Sequence, residues 1–478
     1  MTRQLLGHFM LHPDLALASP YNESAACTCV PRHTQIRWKH RLAAGMALLV
    51  ALGLCTAQPA AAQSPKALTE LRLESWRKDD QPFWEEKILP AFHRANPDIR
   101  ITFAPENPLE YDSRLEAKLR YDSLLDSKFT SRQSGDLIFC RPYDGSARLF
   151  ERNQLSPLPE ALLANFSARN RQPWTSDDGK TTYCVPVAQV IHGIFYNKAQ
   201  LKALGAEPPV TAPEFMALLE RIRQQGSHVP FAMGLADMWE STQVLFTGAG
   251  PNFWGGEKGR QSLLRGQGRF TDPGFLEAWK FMAQLKPYLP PSPHLITNSE
   301  AQNMFGKNAA VFYPSGSWDL PFLRHTFYSH KSTPVDFGVM RFPVKDREQR
   351  CQLSVHPDFG IGLNAEGLNK EAATKFLRWL GTAEFAQLLT DHLSGFYPLS
   401  DHAVSVQDPV GQQMLDWRKD CDETIRLNTE KLNRVWPSME DELWYINVKV
   451  LDNSLSPAEA AARIQKIHQR NGFVPHQR

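Results

Sequence analysis

The chain has 478 residues, and its 53 Lys and Arg side chains nearly balance its 51 Asp and Glu side chains, which excludes a strongly basic nucleic-acid-binding protein. Hydrophobic residues make up 42% and charged residues 22% of the chain, values typical of globular proteins rather than disordered ones. At about 100–200 residues per domain, the length predicts two or three domains.

The N-terminal part of the sequence predicts a secretory leader. Basic residues between positions 32 and 41 precede the apolar stretch Leu42–Leu54, and the small residues Ala60–Ala62 follow. This order is typical of a signal peptide, and the apolar stretch is too short to span a bilayer. We therefore expect residues 1–62 to be removed and the protein to be periplasmic. The alternatives are a buried core helix and a lipid anchor at Cys55, which the bulky Leu54 disfavours.

Four cysteines lie beyond the predicted leader: Cys140, Cys184, Cys351 and Cys421. In an oxidising compartment they allow up to two disulfides in three alternative pairings, and the sequence does not choose among these pairings. Their wide spacing fits no zinc signature, so we expect neither a metal nor another cofactor.

The first segment after the leader has the pattern of a strand–helix–strand unit. Residues 71–75 alternate apolar and polar side chains, residues 83–95 show helical spacing, and residues 99–103 alternate again. Asn96 and Pro97 end the helix between the two strands. Because strands joined through a helix run parallel, this pattern predicts a parallel sheet.

Strands and helices alternate through the rest of the chain, so the predicted fold class is α/β. The clearest helix covers residues 212–225, with Thr211 as its N-cap and Gly226 beyond its end. An extended segment covers residues 182–196, and Pro186 within it favours a connector over a central strand. The other predicted strands cover residues 135–139, 309–313, 337–341 and 360–363. The other predicted helices cover residues 115–129, 370–380, 383–390, 414–425, 439–451 and 457–469.

The sequence contains none of the common catalytic signatures, so we expect no enzymatic activity. The segment Gly248–Gly250 begins like a dinucleotide fingerprint, but Phe253 stands where the third glycine belongs. His356 and Asp358 suggest metal or acid–base chemistry, although polar loop residues more often form only hydrogen bonds. A glycosidase stays open as an alternative, because its two carboxylates need only be close in space.

Several segments together resemble one known family. They are Asn96–Ile101, the Tyr196-Asn-Lys198 tripeptide, Leu204–Thr211, Phe305–Ala310 with Ser315–Trp318, and Leu455–Ala460. In this order they resemble the extracellular solute-binding proteins of ABC transporters, family 1, specifically the sugar-binding branch that includes the maltose-binding protein. The resemblance extends over residues 68–470, and Asn308 and Val311 depart from its pattern.

This resemblance implies a two-lobe periplasmic-binding-protein fold of type II, with a ligand cleft between discontinuous lobes. The first lobe would comprise residues 63–185 and 340–394, and the second lobe residues 186–339 and 395–478. The chain would cross between lobes near residues 184–190, 337–343 and 393–398. The implied function is capture of a mono- or oligosaccharide by lobe closure and its delivery to an ABC permease, by a monomer that binds no nucleic acid.

A sugar cleft needs aromatic rings that stack on the apolar sugar face and polar groups that bind its hydroxyls. The resemblance places such candidates in loops at strand ends and near the C-terminus. The candidate ligand-binding residues are Trp76, Asp79, Asp80, Tyr143, Asp144, Gln189, Trp239, Trp254, Trp318, Asp319 and Trp444. Each has a structural alternative: rings pack in cores, acidic loop residues face water, and Gln189 can bond within a hinge. Cys140 replaces the aromatic residue of maltose-type members, and Tyr143 can supply the missing ring.

Three other functions remain open at this point. The protein can feed a membrane sensor instead of a permease, or bind a glycerol-phosphate-type solute through Arg77, Lys78 and Arg141. The remote alternative is a secreted carbohydrate-active hydrolase.

Overall fold

The structure, a computed structural model, describes residues 67–105, 124–329, 335–427, 432 and 438–470; of the side chains of residues 325–329 nothing is described. The predicted leader, residues 1–62, and most of the predicted helix 115–129 lie outside this part of the chain; residues 124–130 are helical.

Ten strands occur in the described residues, and they join into one mixed sheet. They are β1 (Thr69–Ser75), β2 (Ile99–Pro105), β3 (Leu137–Cys140), β4 (Cys184–Asn197), β5 (Val229–Phe231), β6 (Ala310–Gly316), β7 (Phe337–Met340), β8 (Gln352–Leu363), β9 (Tyr397–Pro398) and β10 (Asp422–Thr424). The main order is β2-β1-β3-β8-β4-β6-β5, with β7 and β9 beside β4 and β10 beside β8. The parallel pairing of β1 with β2 confirms the predicted strand–helix–strand unit.

Helices connect the strands of the sheet along most of the described chain. The first helical stretch runs through Gln81–Phe83, a π-helical turn at Trp84–Ile88 and Leu89–Ala95. Longer helices follow at Asp144–Glu151, Lys198–Ala203, Ala212–Gln225, Gly256–Leu264, Pro273–Ala283, Asn298–Gly306, Leu320–Ser329, Lys370–Leu380, Ala383–His392, Pro409–Asp420, Met439–Leu451 and Pro457–Arg470. Shorter helical segments cover Glu160–Leu162, Ala168–Arg171, Gln172–Trp174, Ser241–Phe246, Thr247–Ala249, Pro251–Trp254, Lys286–Tyr288, Pro293–Leu295 and Ser317–Asp319. No described helix is both long enough and apolar enough to cross a membrane.

Local capping signals explain why several helices begin and end where the sequence predicts. In Ala212–Gln225, the Thr211 side chain accepts a hydrogen bond from the Glu214 N–H, and the Glu214 carboxylate accepts one from the Thr211 N–H. Gly226 then ends the helix at a φ of 66°, a left-handed conformation that favours glycine. This helix matches its predicted bounds, because both of its ends depend on residues adjacent in sequence.

The two longest strands, β4 and β8, run through both halves of the molecule. Cys184–Pro186 of β4 pairs with Gly360–Gly362 of β8, whereas Tyr196 and its neighbours pair with β6 and β7. Pro186 therefore lies inside a central strand and not in a connector as predicted. The pairing shifts register between Pro186 and Ala188, and such an irregularity accommodates a residue that has no N–H to donate.

A separate hydrophobic core surrounds each end of these strands. We call first lobe the part around Leu73, Trp84, Phe92 and Phe376. We call second lobe the part around Phe215, Phe246, Trp279 and Leu443. A further buried cluster that includes Phe195, Tyr313 and Met414 packs on the other face of β4.

The chain returns from the second lobe to the first later than expected. Strand β7, inside the expected return at residues 337–343, pairs with the second-lobe end of β4. The passage occurs instead within β8, where Val355 belongs to the cluster around Phe195 and Phe359 belongs to the first-lobe core. The sequence predicted only residues 360–363 as a strand, because Pro357 favours a loop in the segment before them.

Two disulfides join the four cysteines, and of the three pairings the structure selects Cys140–Cys184 and Cys351–Cys421. The first joins β3 to the start of β4. The second joins the residue before β8 to the residue before β10.

The helix predicted over residues 414–425 begins and ends earlier than expected. It spans Pro409–Asp420, because Asp408 caps its start and β10 pairs with β8 beyond its end.

Candidate functional site

Charged and aromatic side chains meet where the two lobes adjoin, and we call this region the interlobe site. It is defined by Arg77, Asp80, Trp318, Asp358 and Arg426 with the histidines His192 and His356. The loop after β1, the middle of β4 and β8, the turn after β6 and the segment after β10 supply these residues.

Arg77 joins the loop after β1 to strand β8. Its guanidinium donates to both oxygens of Asp80 and, from Nη1, to Asp358 Oδ2 at 3.1 Å. It also lies 4.5 Å above the ring of Phe396. Burial by itself would lower the pKa of Arg77, but the carboxylates of Asp80 and Asp358 raise it. Burial raises the pKa of Asp80 although Arg77 opposes this shift.

The next first-lobe loop holds a second arginine against an aromatic ring. The Arg141 guanidinium lies 4.4 Å from the centre of the Trp76 ring, a cation–π contact. The edge of the same ring meets Phe139 at 5.8 Å between centroids. Trp76 is therefore fixed in orientation, and Arg141 covers one of its faces.

Tyr143 and Asp144 begin the helix that follows β3. Tyr143 has a φ of 56°, which is strained for a residue with a side chain, and its N–H donates to the Pro173 carbonyl at 2.7 Å. Asp144 is buried in the first turn of this helix, where a negative charge is favourable.

Trp318 is an aromatic residue that contacts both lobes. It is partly buried and packs against the first-lobe core and the second-lobe core. Its ring packs edge-to-face with the rings of His192 and His356, at 5.2 Å and 6.2 Å between ring centroids. A side chain in this position links the relative placement of the lobes to whatever lies between them.

The second lobe adds a further ring and buried acidic groups. Trp239 is partly buried against the second-lobe core and follows Met238, whose φ of 58° marks a tight turn. Glu240 is buried beside the π-helical segment Ser241–Phe246, a type of segment that is frequent at functional sites. Gln243 of that segment donates to the Glu440 carboxylate.

Two histidines occupy the middle of the central strands. The rings of His192 and His356 stack at 4.9 Å between centroids, and both side chains are 1% exposed. Burial lowers the pKa of His192 to about 3, and the charge of Arg426 adds to this effect. Burial, Arg426 and His192 together hold the pKa of His356 well below its usual range. Both rings are therefore neutral at physiological pH.

Arg426 lies among charges from both lobes. Burial lowers its pKa to about 10, Asp358 and Glu440 act in the opposite direction, and Arg141 and Arg77 lower it further. Its guanidinium lies 6.0 Å from the Trp318 ring. The disulfide Cys351–Cys421 anchors the segment that carries it. No group of three or more metal-ligating side chains occurs in the described residues.

Comparison with known proteins identifies the family. The family model for bacterial extracellular solute-binding proteins matches residues 91–413. The chain belongs to this family.

Named relatives of this solute-binding protein are distant in sequence. An uncharacterised ABC transporter extracellular-binding protein of Pyrococcus horikoshii is 21% identical over 341 residues, which cover 69% of this chain and 71% of the relative. The multiple sugar-binding protein of Streptococcus mutans is 24% identical over 228 residues, which cover 44% of this chain and 49% of the relative.

Solved structures share the fold of this solute-binding protein. The solute-binding protein RafE in complex with raffinose superimposes with a TM-score of 0.69 at 17% identity, over 84% of this chain and 99% of that one. A chitin oligosaccharide binding protein gives a TM-score of 0.69 at 18% identity, over 85% and 99% of the two chains. The predicted two-lobe α/β fold is thereby confirmed.

The predicted ligand-binding residues of this solute-binding protein have different surroundings. Asp80 and Trp318 lie in the interlobe site, and Trp76 contacts Arg141, whose charge acts on Arg426 of that site. Gln189 is half-buried on β4, paired with Pro357 and Tyr397. Ligand contact by these residues stays a prediction, as it does for Tyr143, Asp144, Trp239 and the buried Trp444.

Three of the predicted ligand-binding residues are not among the residues that define the interlobe site. Trp254 is in the second-lobe core, stacked on Phe275 at 4.9 Å, because the helix Pro251–Trp254 turns its ring inward. Asp319 is buried and accepts from Tyr313 and Ser315 at 2.7 and 2.5 Å, so its carboxylate is engaged inside the lobe. Asp79 is exposed, whereas its neighbour Asp80 is buried.

Sequence reasoning missed His192, Asp358 and Arg426 as members of the site and took His356 as a loop residue. The one available signal was the His356-Pro-Asp358 tripeptide. His192 gave no signal, since an isolated histidine in a mostly apolar strand matches no motif.

Proposed function

We propose that this protein is the substrate-binding component of an ABC transporter. It captures a mono- or oligosaccharide between its lobes as a monomer, and hands it unchanged to a membrane permease. The expected leader supports a periplasmic location. The multiple sugar-binding relative and the raffinose complex support the ligand class.

The observation that carries this proposal is Trp318. Its ring contacts both lobes beside the buried imidazoles of His192 and His356, and the guanidinium of Arg426 lies 6.0 Å from it. An indole ring stacks on the C–H face of a sugar, and hydrogen bonds to hydroxyls gain strength where water is excluded. Closure of two lobes about hinge strands is a general way to trap such a ligand.

A neutral sugar fits the site better than a phosphorylated polyol. A phosphate needs arginine donors, yet Arg77 already donates to Asp80 and Asp358, and Arg141 is held against the Trp76 ring. Buried Asp80, Glu240 and Glu440 add acidic groups that repel an anion.

A thermal-shift panel tests the proposal. Raffinose, stachyose, galactose, chitin oligosaccharides and glycerol 3-phosphate are added separately to the purified protein. At least one saccharide is expected to raise the melting temperature, because a ligand that binds only the folded state stabilises it. Trp318→Ala is expected to weaken calorimetric affinity for that saccharide by about 2 kcal/mol or more while the fold is retained. A response to glycerol 3-phosphate alone, or turnover of a saccharide, contradicts the proposal.

A further inference from the structure

A short polar strip interrupts the apolar faces of the two central strands. On β4, Val190 belongs to the first-lobe core and Ile194 to the second-lobe core, and His192 stands between them. Val190 of β4 pairs with His356 of β8. The strip therefore lies at the seam between the two lobes, where the chain passes from one core to the other.

His356 differs from its stacked neighbour in its hydrogen bonds. His192 Nδ1 is 2.8 Å from Ser354 Oγ. Neither ring nitrogen of His356 has a hydrogen-bond partner among the described residues, although the side chain is 1% exposed. The carboxylate of Asp358 is 3.9 Å from Nε2, longer than a hydrogen bond. A buried polar group without a partner costs stability, so its retention requires an explanation.

The groups around His356 define what it can bind. His192 on β4, Asp358 on β8, Arg426 after β10 and Trp318 after β6 face it. Burial, Arg426 and His192 keep the pKa of His356 well below its usual range, so the ring is neutral, with one donor nitrogen and one acceptor nitrogen. A hydroxyl group both donates and accepts and therefore matches this ring. A carboxylate or phosphate only accepts and leaves the second nitrogen unmatched.

We propose that His356 is a ligand-binding residue that hydrogen-bonds hydroxyl groups of a neutral sugar held between the lobes, with Trp318 beside it. This inference rests on the proposed function and specifies the sugar class.

Calorimetry on three variants tests the role of His356. The probe is whichever of raffinose, stachyose, galactose or chitin oligosaccharide gives the largest thermal shift with the unchanged protein. His356→Phe is expected to weaken its affinity about tenfold or more, because the ring keeps its shape and loses both nitrogens. His356→Gln, whose amide donates and accepts, is expected to restore part of the loss. The control His468→Phe removes a buried imidazole from the C-terminal helix and is expected to leave affinity unchanged.

The outcomes separate this inference from the proposed function. If none of the saccharides stabilises the unchanged protein, the proposed function fails. If a saccharide binds and His356→Phe keeps affinity within about twofold, only the role of His356 is overturned.

A measurement on the unchanged protein covers the case in which His356→Phe does not fold. Ring-nitrogen NMR resonances of His356, assigned through His356→Gln, are expected to shift on saturation with the saccharide, while those of His468 stay in place. Unmoved His356 resonances at saturation overturn the inference.

Discussion

The two sides of the interlobe site differ in how their side chains are already engaged. On the first-lobe side, Arg77 binds two carboxylates and Arg141 covers one face of Trp76. On the second-lobe side, Trp239 and Trp318 stay partly exposed. We propose that the first-lobe network holds its side chains in place, whereas the second-lobe rings are left to contact a ligand.

The largest effect is expected from breaking the first-lobe network. Arg77→Ala leaves Asp80, whose side chain is 5% exposed, without its guanidinium partner. Removal of one partner of a buried ion pair costs about 3–5 kcal/mol of unfolding free energy. Urea unfolding measures this loss. The control Arg152→Ala breaks an exposed pair with Asp126 and is expected to cost at most about 1 kcal/mol. Equal losses of unfolding free energy in the two variants would contradict a stabilising role for the ion pairs of Arg77.

Two tryptophan variants compare a core residue of the second lobe with a residue of the interlobe site. Trp254→Ala is expected to lower the unfolding free energy by about 3–5 kcal/mol, because it empties space in the core between Phe246 and Phe275. Trp318→Ala is expected to act mainly on saccharide affinity. Urea unfolding and calorimetry on both variants separate the two effects. A loss of affinity mainly in Trp254→Ala, or a loss of unfolding free energy mainly in Trp318→Ala, would contradict the placement of Trp318 in the ligand site.

The two disulfides allow a matched comparison between the sides. Cys351→Ser with Cys421→Ser is expected to cost about 2–4 kcal/mol of stability and to weaken saccharide binding, because it frees the segment that carries Arg426. Cys140→Ser with Cys184→Ser is expected to cost a similar amount of stability with a smaller effect on affinity. Equal affinities of the two double variants would show that Arg426 needs no anchor.

The effect that is smallest for a single residue and a single pH unit is a dependence of stability on pH from the histidine pair. His192 and His356 have lowered pKa values in the folded protein, whereas unfolded imidazoles titrate near 6.5. Below this pH the unfolded chain binds more protons, so stability is complete above it and falls as the pH drops. Each histidine contributes about 1.4 kcal/mol per pH unit.

Urea unfolding between about pH 7 and about pH 5 checks this sign. His192→Gln is expected to flatten the dependence, because it removes one imidazole whose pKa is lowered in the folded protein. An unaltered slope in His192→Gln would show that the pair does not resist protonation.

The sequence predicted some helices to the residue. Lys370–Leu380 and Met439–Leu451 have their predicted bounds, since apolar spacing and end signals are local. The first half of β8 was missed, because Pro357 favours a loop over a central strand even though apolar and polar residues alternate around it. Ser354 and His356 are buried only because a second lobe packs against the sheet there.

The sequence was limited in the same way in predicting which residues form the candidate site. Trp318 and Asp80 were predicted from their loops, but Trp254 sits in an equally plausible loop position and is a core residue. Indole rings serve a core and a binding surface alike, so composition cannot separate these roles. The disulfide pairing likewise had three alternatives in the sequence.

The sequence by itself determined the α/β class, the positions of most helices, and, through its resemblance, the family. Only the tertiary structure decided which carboxylate meets Arg77, which cysteines pair, and that two histidines far apart in the chain stack at the seam between the lobes. Helix signals act between neighbours in the chain. Charge pairing, burial and ring contacts join residues from distant segments, and they exist only once the two cores have assembled around β4 and β8.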